Sequence, residues 1–152
     1  MIHPNSLLSI MKIFILNILF SILALSVVAQ KASLEVHIPK IKAKGEGQII
    51  LMLFSTEDGF PAEVSKAAYT AEITEFTDQM THVFEDLPYG TYAVSAFQDK
   101  NKNGEADRNF LGFPKEPVGA SNKTSFGRPS YVKCSFKLNQ TEKRIELTFL
   151  NE

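Results

Sequence analysis

A single cysteine, Cys134, is all that the 152 residues contain, so no internal disulfide is available. Its place in the alternating run Val132, Cys134, Phe136, Leu138 marks it as a small core residue of a strand rather than a reactive thiol. Histidine is scarce as well. Beyond the N-terminal segment only His37 and His82 remain, and both are expected to face solvent, His37 from the polar side of an alternating strand. The chain has no Gly-x-Ser-x-Gly elbow, no His-Glu-x-x-His helix and no phosphate-binding glycine loop. Glu85 and Asp86 are adjacent in a strand and so point to opposite faces, which disqualifies them as an acid-base pair. Without a nucleophile and its base, the expectation is that this protein is not an enzyme; an uncharacterised hydrolase is the remaining catalytic alternative. Charge of neither sign dominates, with sixteen Lys and Arg against seventeen Asp and Glu, so the basic face that nucleic acid requires is absent.

The N-terminus is unlike the rest. Lys12 is followed by an apolar run over residues 13–28, broken only by Asn17, Ser21 and Ser26, and then by Val27-Val28-Ala29. A basic residue, an apolar stretch and small residues before a cleavage point predict a secretory signal peptide over residues 1–29, cut after Ala29, with Met11 as an alternative start to Met1. The alternative is a membrane anchor, but a spanning helix needs about 20 apolar residues and this run is shorter and ends in a cleavage pattern, so no transmembrane segment is expected after cleavage. The residue after the cleavage point is Gln30, not a cysteine, so no lipid is expected there. Residues 30–152 suit one domain, long enough to bury roughly two thirds of its unfolded surface without staples. Loss of Lys12 leaves that domain a net charge near minus two.

Within this domain, period-two alternation recurs. Leu34, Val36 and Ile38 alternate with Glu35 and His37, while the continuous run QIILMLF (48–54) reads as a central strand covered on both faces. A short strand is expected over 82–86. Over 91–99, Tyr92, Val94 and Ala96 fall on one face and Ala93, Ser95 and Phe97 on the other. Residues 130–138 and 144–150 also alternate, joined by a polar turn at 139–143, and KAKGEG (42–47) suits a hairpin turn. AEVSKAAY (62–69), after Gly59-Phe60-Pro61, has helical composition and predicts one or two turns lying across an end of the domain. The pattern as a whole predicts an all-β antiparallel sandwich of about seven strands with one short helical insertion.

In FEDLPYGTYAV (84–94) a strand ends at Leu87, Pro88 and Gly90 turn the chain, and Tyr92 opens the next strand. This resembles the turn of transthyretin-like and carboxypeptidase-regulatory-like sandwiches, where the tyrosine hydroxyl anchors the corner, a relative of the immunoglobulin tyrosine corner. LMLFSTEDGFP, FEDLPYGTYAVSAFQDKNKNGEADRNFLGFPKEPVGASN and FGRPSY, taken in that order, resemble the secreted bacterial family called domain of unknown function 2141, over about Leu34 to Phe149. The resemblance implies a secreted or periplasmic bacterial protein with an immunoglobulin-like or prealbumin-like sandwich, and no established activity. The Tyr-Arg-Gly-Ser C-terminus of transthyretin-like hydrolases is missing.

DKNKNGEADRNFLGFPKEP (99–117) carries the candidate sites. Calcium takes roughly six to eight oxygens, which an acidic loop supplies from alternate side chains around a glycine turn. Asp99, Asn101, Asn103, the Glu105 carbonyl and Asp107 fall at the first, third, fifth, seventh and ninth places of such a loop, with Gly104 at the sixth. The twelfth place, which an EF-hand fills with glutamate, is Phe110, and a strand precedes the loop instead of a helix. It is therefore not an EF-hand. What remains is a weak calcium loop, with water or Glu116 completing the shell and Lys100, Lys102 and Arg108 reducing its field, or a polar turn built from Asx bonds. Beyond it, residues 109–131 lack a convincing strand. Phe110, Phe113 and Phe126, with Leu111, read first as a satellite core pinning the loop. The alternative is a recognition patch with Asn122 and Arg128 as polar contacts. The functional expectation is a non-catalytic binding module of the cell envelope, for an envelope protein or carbohydrate; the rival is a structural or assembly domain stiffened by the loop.

Overall fold

The computed structural model describes residues 11–12, 30–42, 45–123 and 127–150. The predicted signal segment lies almost wholly outside them. No helix among the described residues is long and apolar enough to cross a membrane.

The fold is all-β, with eight strands in two sheets among the described residues. In the smaller sheet β1 (Lys31–Ile38) is central. It pairs antiparallel with β4 (Met80–Pro88) and parallel with β8 (Glu142–Glu146), so the sandwich is not purely antiparallel. In the larger sheet β2 (Gln48–Phe54) lies between β3 (Tyr69–Ile73) and β5 (Gly90–Asp99). The strand β6 (Val118–Ala120) and, at the start of β5, β7 (Phe136–Leu138) complete it.

Alternation decides what each face buries. Leu34, Val36 and Ile38 of β1 meet Ile49, Leu51 and Leu53 of β2 and Tyr92, Val94 and Ala96 of β5 in the core between the sheets. The opposite faces of β2 and β5 are also covered. Ile50, Met52, Phe54 and Phe97 pack beneath Phe60, Val64, Ala106, Val118 and Tyr131. That second cover is why these two strands read as nearly continuous apolar runs. Where β4 turns into β5, the Tyr92 hydroxyl donates to the Pro88 carbonyl at 2.9 Å, the corner bond that the motif implied.

Several local expectations change. KAKGEG is no hairpin, because β1 and β2 lie in different sheets; residues 43–44 of it lie outside the described residues. Likewise the turn at 139–143 carries the chain from β7 in one sheet to β8 in the other. The helical insertion shrinks to a 3-10 turn at Val64–Lys66, and Tyr69 already belongs to β3. Residues 147–150 form no strand, although Leu147 and Phe149 are buried. The expected strand over 130–138 is split by a helical turn, α1 (Tyr131–Cys134). Three-residue spacing puts Tyr131 and Cys134 on one face, against Phe60, Ala93 and Ala120, and leaves Val132 78% exposed. Cys134 is thus the small core residue expected, but on a helical turn. Burial pushes its thiol pKa up, against weaker lowering influences from Lys123 and a Ser130 hydrogen bond, which keeps it inert.

Candidate functional site

Asp99 ends β5 fully buried, and its carboxylate organises the loop that follows. One oxygen accepts from the Gln48 side chain at 2.9 Å and the Gly104 N–H at 2.8 Å; the other accepts from the Asn103 N–H at 3.1 Å. Burial alone would raise the pKa of this carboxyl. The hydrogen bonds from Gly104, Gln48, Asn103 and Lys102 outweigh it and hold the pKa below the ordinary value, so Asp99 is ionised.

Two Asx bonds follow. The Asn101 side-chain oxygen accepts from the Asn103 N–H at 3.1 Å, and that of Asn103 from the Glu105 N–H at 2.9 Å. The amides of Asn101 and Asn103 then donate to the two oxygens of Asp107, at 2.9 and 3.2 Å. Of the five predicted calcium ligands, the side chains of Asp99, Asn101, Asn103 and Asp107 are therefore joined in one network. Glu105 enters only through its backbone. Glu116, 4% exposed, closes the loop from the far side by accepting the N–H groups of Lys100 at 2.9 Å and Asp107 at 3.1 Å. Every carboxylate of the network already receives protein donors, and no group of three or more His, Cys, Asp or Glu placed to hold a metal occurs among the described residues.

The braced loop leads into a tight tip. Asn109 accepts from the Leu111 and Phe113 N–H groups through its side chain, at 2.9 and 3.0 Å, and its own N–H donates to the Phe113 carbonyl at 2.9 Å. Gly112, at φ +83°, supplies the left-handed residue that closes the turn. This ordered tip presents Phe110, Leu111 and Phe113 at 95%, 65% and 63% exposure. A satellite core is not what these three residues form. Phe126 lies outside the described residues.

Asn122 has a structural job: at φ +58°, its amide donates to the carbonyls of Cys134 and Ser135, stapling the end of β6 to α1. Arg128 lies instead beside a groove of about 430 Å³ on the outer face of the larger sheet. Met52 and Phe97, both buried, form its floor with Val118, while the exposed Arg108, Phe113 and Arg128 stand at its open side. His37 and His82 lie far from this region in the smaller sheet, half-buried rather than solvent-facing. His82 stacks edge-on against Phe84 at 4.7 Å, and burial lowers its pKa.

Residues 36–146 match the model of a protein family described as "Uncharacterized protein conserved in bacteria", DUF2141. The chain belongs to this family. No curated protein and no solved structure matches it. In this DUF2141 member the match spans every strand paired around the loop and ends at the last residue of β8. Sequence reasoning missed the groove, because its walls come from segments far apart in the chain. It saw Arg108 only as a charge that weakens a calcium loop, and no local pattern signals the second role.

Proposed function

We propose that this chain is an exported, non-catalytic binding module of the bacterial cell envelope, docking a partner through Phe110, Leu111 and Phe113. The observation that carries this reading is the tip itself: three large apolar side chains held out to water by a turn that the Asn109 side chain braces. Ordering such a turn in advance lowers the entropic cost of binding. The signal-like N-terminus supports export. Between the two partner classes expected, an envelope protein suits the tip better than a carbohydrate, since phenylalanine and leucine offer no polar group to pair with sugar hydroxyls.

Labelled protein is expected to bind isolated bacterial envelope saturably, in competition with unlabelled protein. The variant Phe110→Ser/Leu111→Ser should lose at least about 100-fold in affinity, because anchors of this kind are worth about 2 kcal/mol each, with its melting temperature unchanged. Protease treatment of the envelope should abolish binding; survival of that treatment would transfer the partner to carbohydrate. Equal binding by wild type and variant would remove the tip from the reading.

A second reading, a domain stiffened by calcium, is favoured by the convergence of Asn101 and Asn103 on Asp107. A site with a dissociation constant of about 1 mM would add about 1.4 kcal/mol of stability at about 10 mM calcium. Because the loop is already satisfied by its own donors, no rise in melting temperature is expected between chelator and that concentration. A rise that disappears in Asp107→Ala would install the calcium reading instead.

A further inference from the structure

The outer face of β5 is packed over at both ends, and the groove lies between, above Met52 and Phe97, which are themselves buried. Phe60 and Tyr131 close over Ala93, and the loop that starts at Asp99 closes the other end. Between these covers lies the groove of about 430 Å³, inside the range of small-molecule sites and, like them, largely apolar. The Ser95 hydroxyl, which lines it, already donates to the Pro61 carbonyl at 2.7 Å, so the interior offers few hydrogen-bonding groups to a peptide or sugar.

The charged groups at the open side are two guanidiniums. Arg108 donates to the Gly112 carbonyl at 3.3 Å, and neither it nor Arg128 has a carboxylate within ion-pair distance among the described residues. A guanidinium left in this state beside an apolar surface is suited to bidentate pairing with an anion. Glu57, Glu63 and Glu105 line the adjoining cleft, which both arginines also reach. Those acids would repel a doubly charged phosphate more than a singly charged carboxylate.

We propose that this groove binds a single-chain amphipathic carboxylate, with its alkyl chain against Ala106, Pro114 and Val118, above the buried Met52 and Phe97, and its head group held by Arg108 and Arg128. The site stands beside the docking tip and shares Phe113 with it, while Phe110 and Leu111, the residues changed in the docking test, take no part.

The sequence contains no tryptophan, so Phe113→Trp places a single reporter at the groove. Titration with decanoate below its micelle concentration should change the emission saturably at one equivalent. Decanol, with the chain but no charge, should bind at least about tenfold more weakly, and acetate should give no response. Adding Arg108→Gln and Arg128→Gln should weaken decanoate at least about tenfold while leaving the melting temperature unchanged. Calorimetric titration of the unaltered chain repeats the measurement should the reporter disturb the fold. Absence of saturation in both formats, decanol binding as tightly as decanoate, indifference to the arginine substitutions, or tighter binding of decyl phosphate would each overturn the assignment.

Discussion

Asp99→Ala should lower stability by about 3 kcal/mol, and the melting temperature by roughly 10 °C. Gln48 Nε2 and the N–H groups of Asn103 and Gly104, among other donors, converge on a carboxylate with no exposed surface. Hydrogen bonds to a charged acceptor are worth about 1.5 to 3 kcal/mol each, and water entering the exposed side of the loop recovers part of the loss. Asp107→Ala serves as the comparison, for its partners are the exposed amides of Asn101 and Asn103, and it should cost less than about 1 kcal/mol. The pH dependence separates charge from packing. Because the folded-state pKa of Asp99 lies below the unfolded one, its stabilisation is full above about pH 4 and disappears as the pH falls through the folded value. The gap in stability between wild type and Asp99→Ala should be constant from about pH 7 to 5 and narrow below about 4. A gap that stays constant down to about pH 2 would mean that the carboxylate charge contributes nothing and that Asp99 acts only as a space-filling cap.

Much of the fold was legible in the sequence where one strand's pattern carried its whole environment. QIILMLF announced a strand covered on two faces, the 91–99 run announced a strand and the split of its side chains between faces, and Leu-Pro-x-Gly-x-Tyr announced the corner that the Tyr92 hydroxyl closes. The missed strands fail for physical reasons. In β3, an edge strand with no fully buried residue, Tyr69, Ala71 and Ile73 do alternate and the last two pack on the core, but the pattern is only five residues long and its first residue falls inside the helical composition of 62–69. The three residues of β6 include Gly119, which shows no preference for a strand. The run 130–138 misled because Val132, Cys134, Phe136 and Leu138 alternate perfectly, while the partner that bends it into a helical turn, Phe60, lies some seventy residues earlier. For the site, the Asp-x-Asn-x-Asn-Gly pattern revealed a folded-back loop, but not that its first acid is buried. Hydrophobicity flagged Phe110, Leu111 and Phe113 without saying which way they face. Sidedness there is set by Asn109, whose side chain spends both of its acceptor positions on the turn and so turns the apolar residues outward.

Gly47→Ala should be among the most damaging single-methyl changes, lowering stability by about 3 kcal/mol or more although the residue is only half-buried. Gly47 sits at φ +71°, where a side chain is strained, and a Cβ there would meet the Asp99 carbonyl oxygen and stand 2.6 Å from the Lys100 Cα. Both obstacles are backbone, so no rotamer change relieves them. The contact matters beyond its local strain. Gln48, the next residue, donates to the Asp99 carboxylate and pairs with Asp99 across β2 and β5, so the close approach at Gly47 fixes the register in which the buried acid meets its donor. Displacing it loosens Asp99, then the 99–107 loop, then the turn that holds out the aromatic tip. Gly45, also at positive φ but with no atom within 4 Å of an added Cβ, is the control: Gly45→Ala should cost only about 1 kcal/mol. In hydrogen exchange, Gly47→Ala should unprotect the amides of Asn103 and Gly104 while Gly45→Ala leaves them slow. Equal losses of stability and equal exchange in the two variants would break the link between the β1–β2 connection and the site, leaving only the cost of a left-handed residue in each.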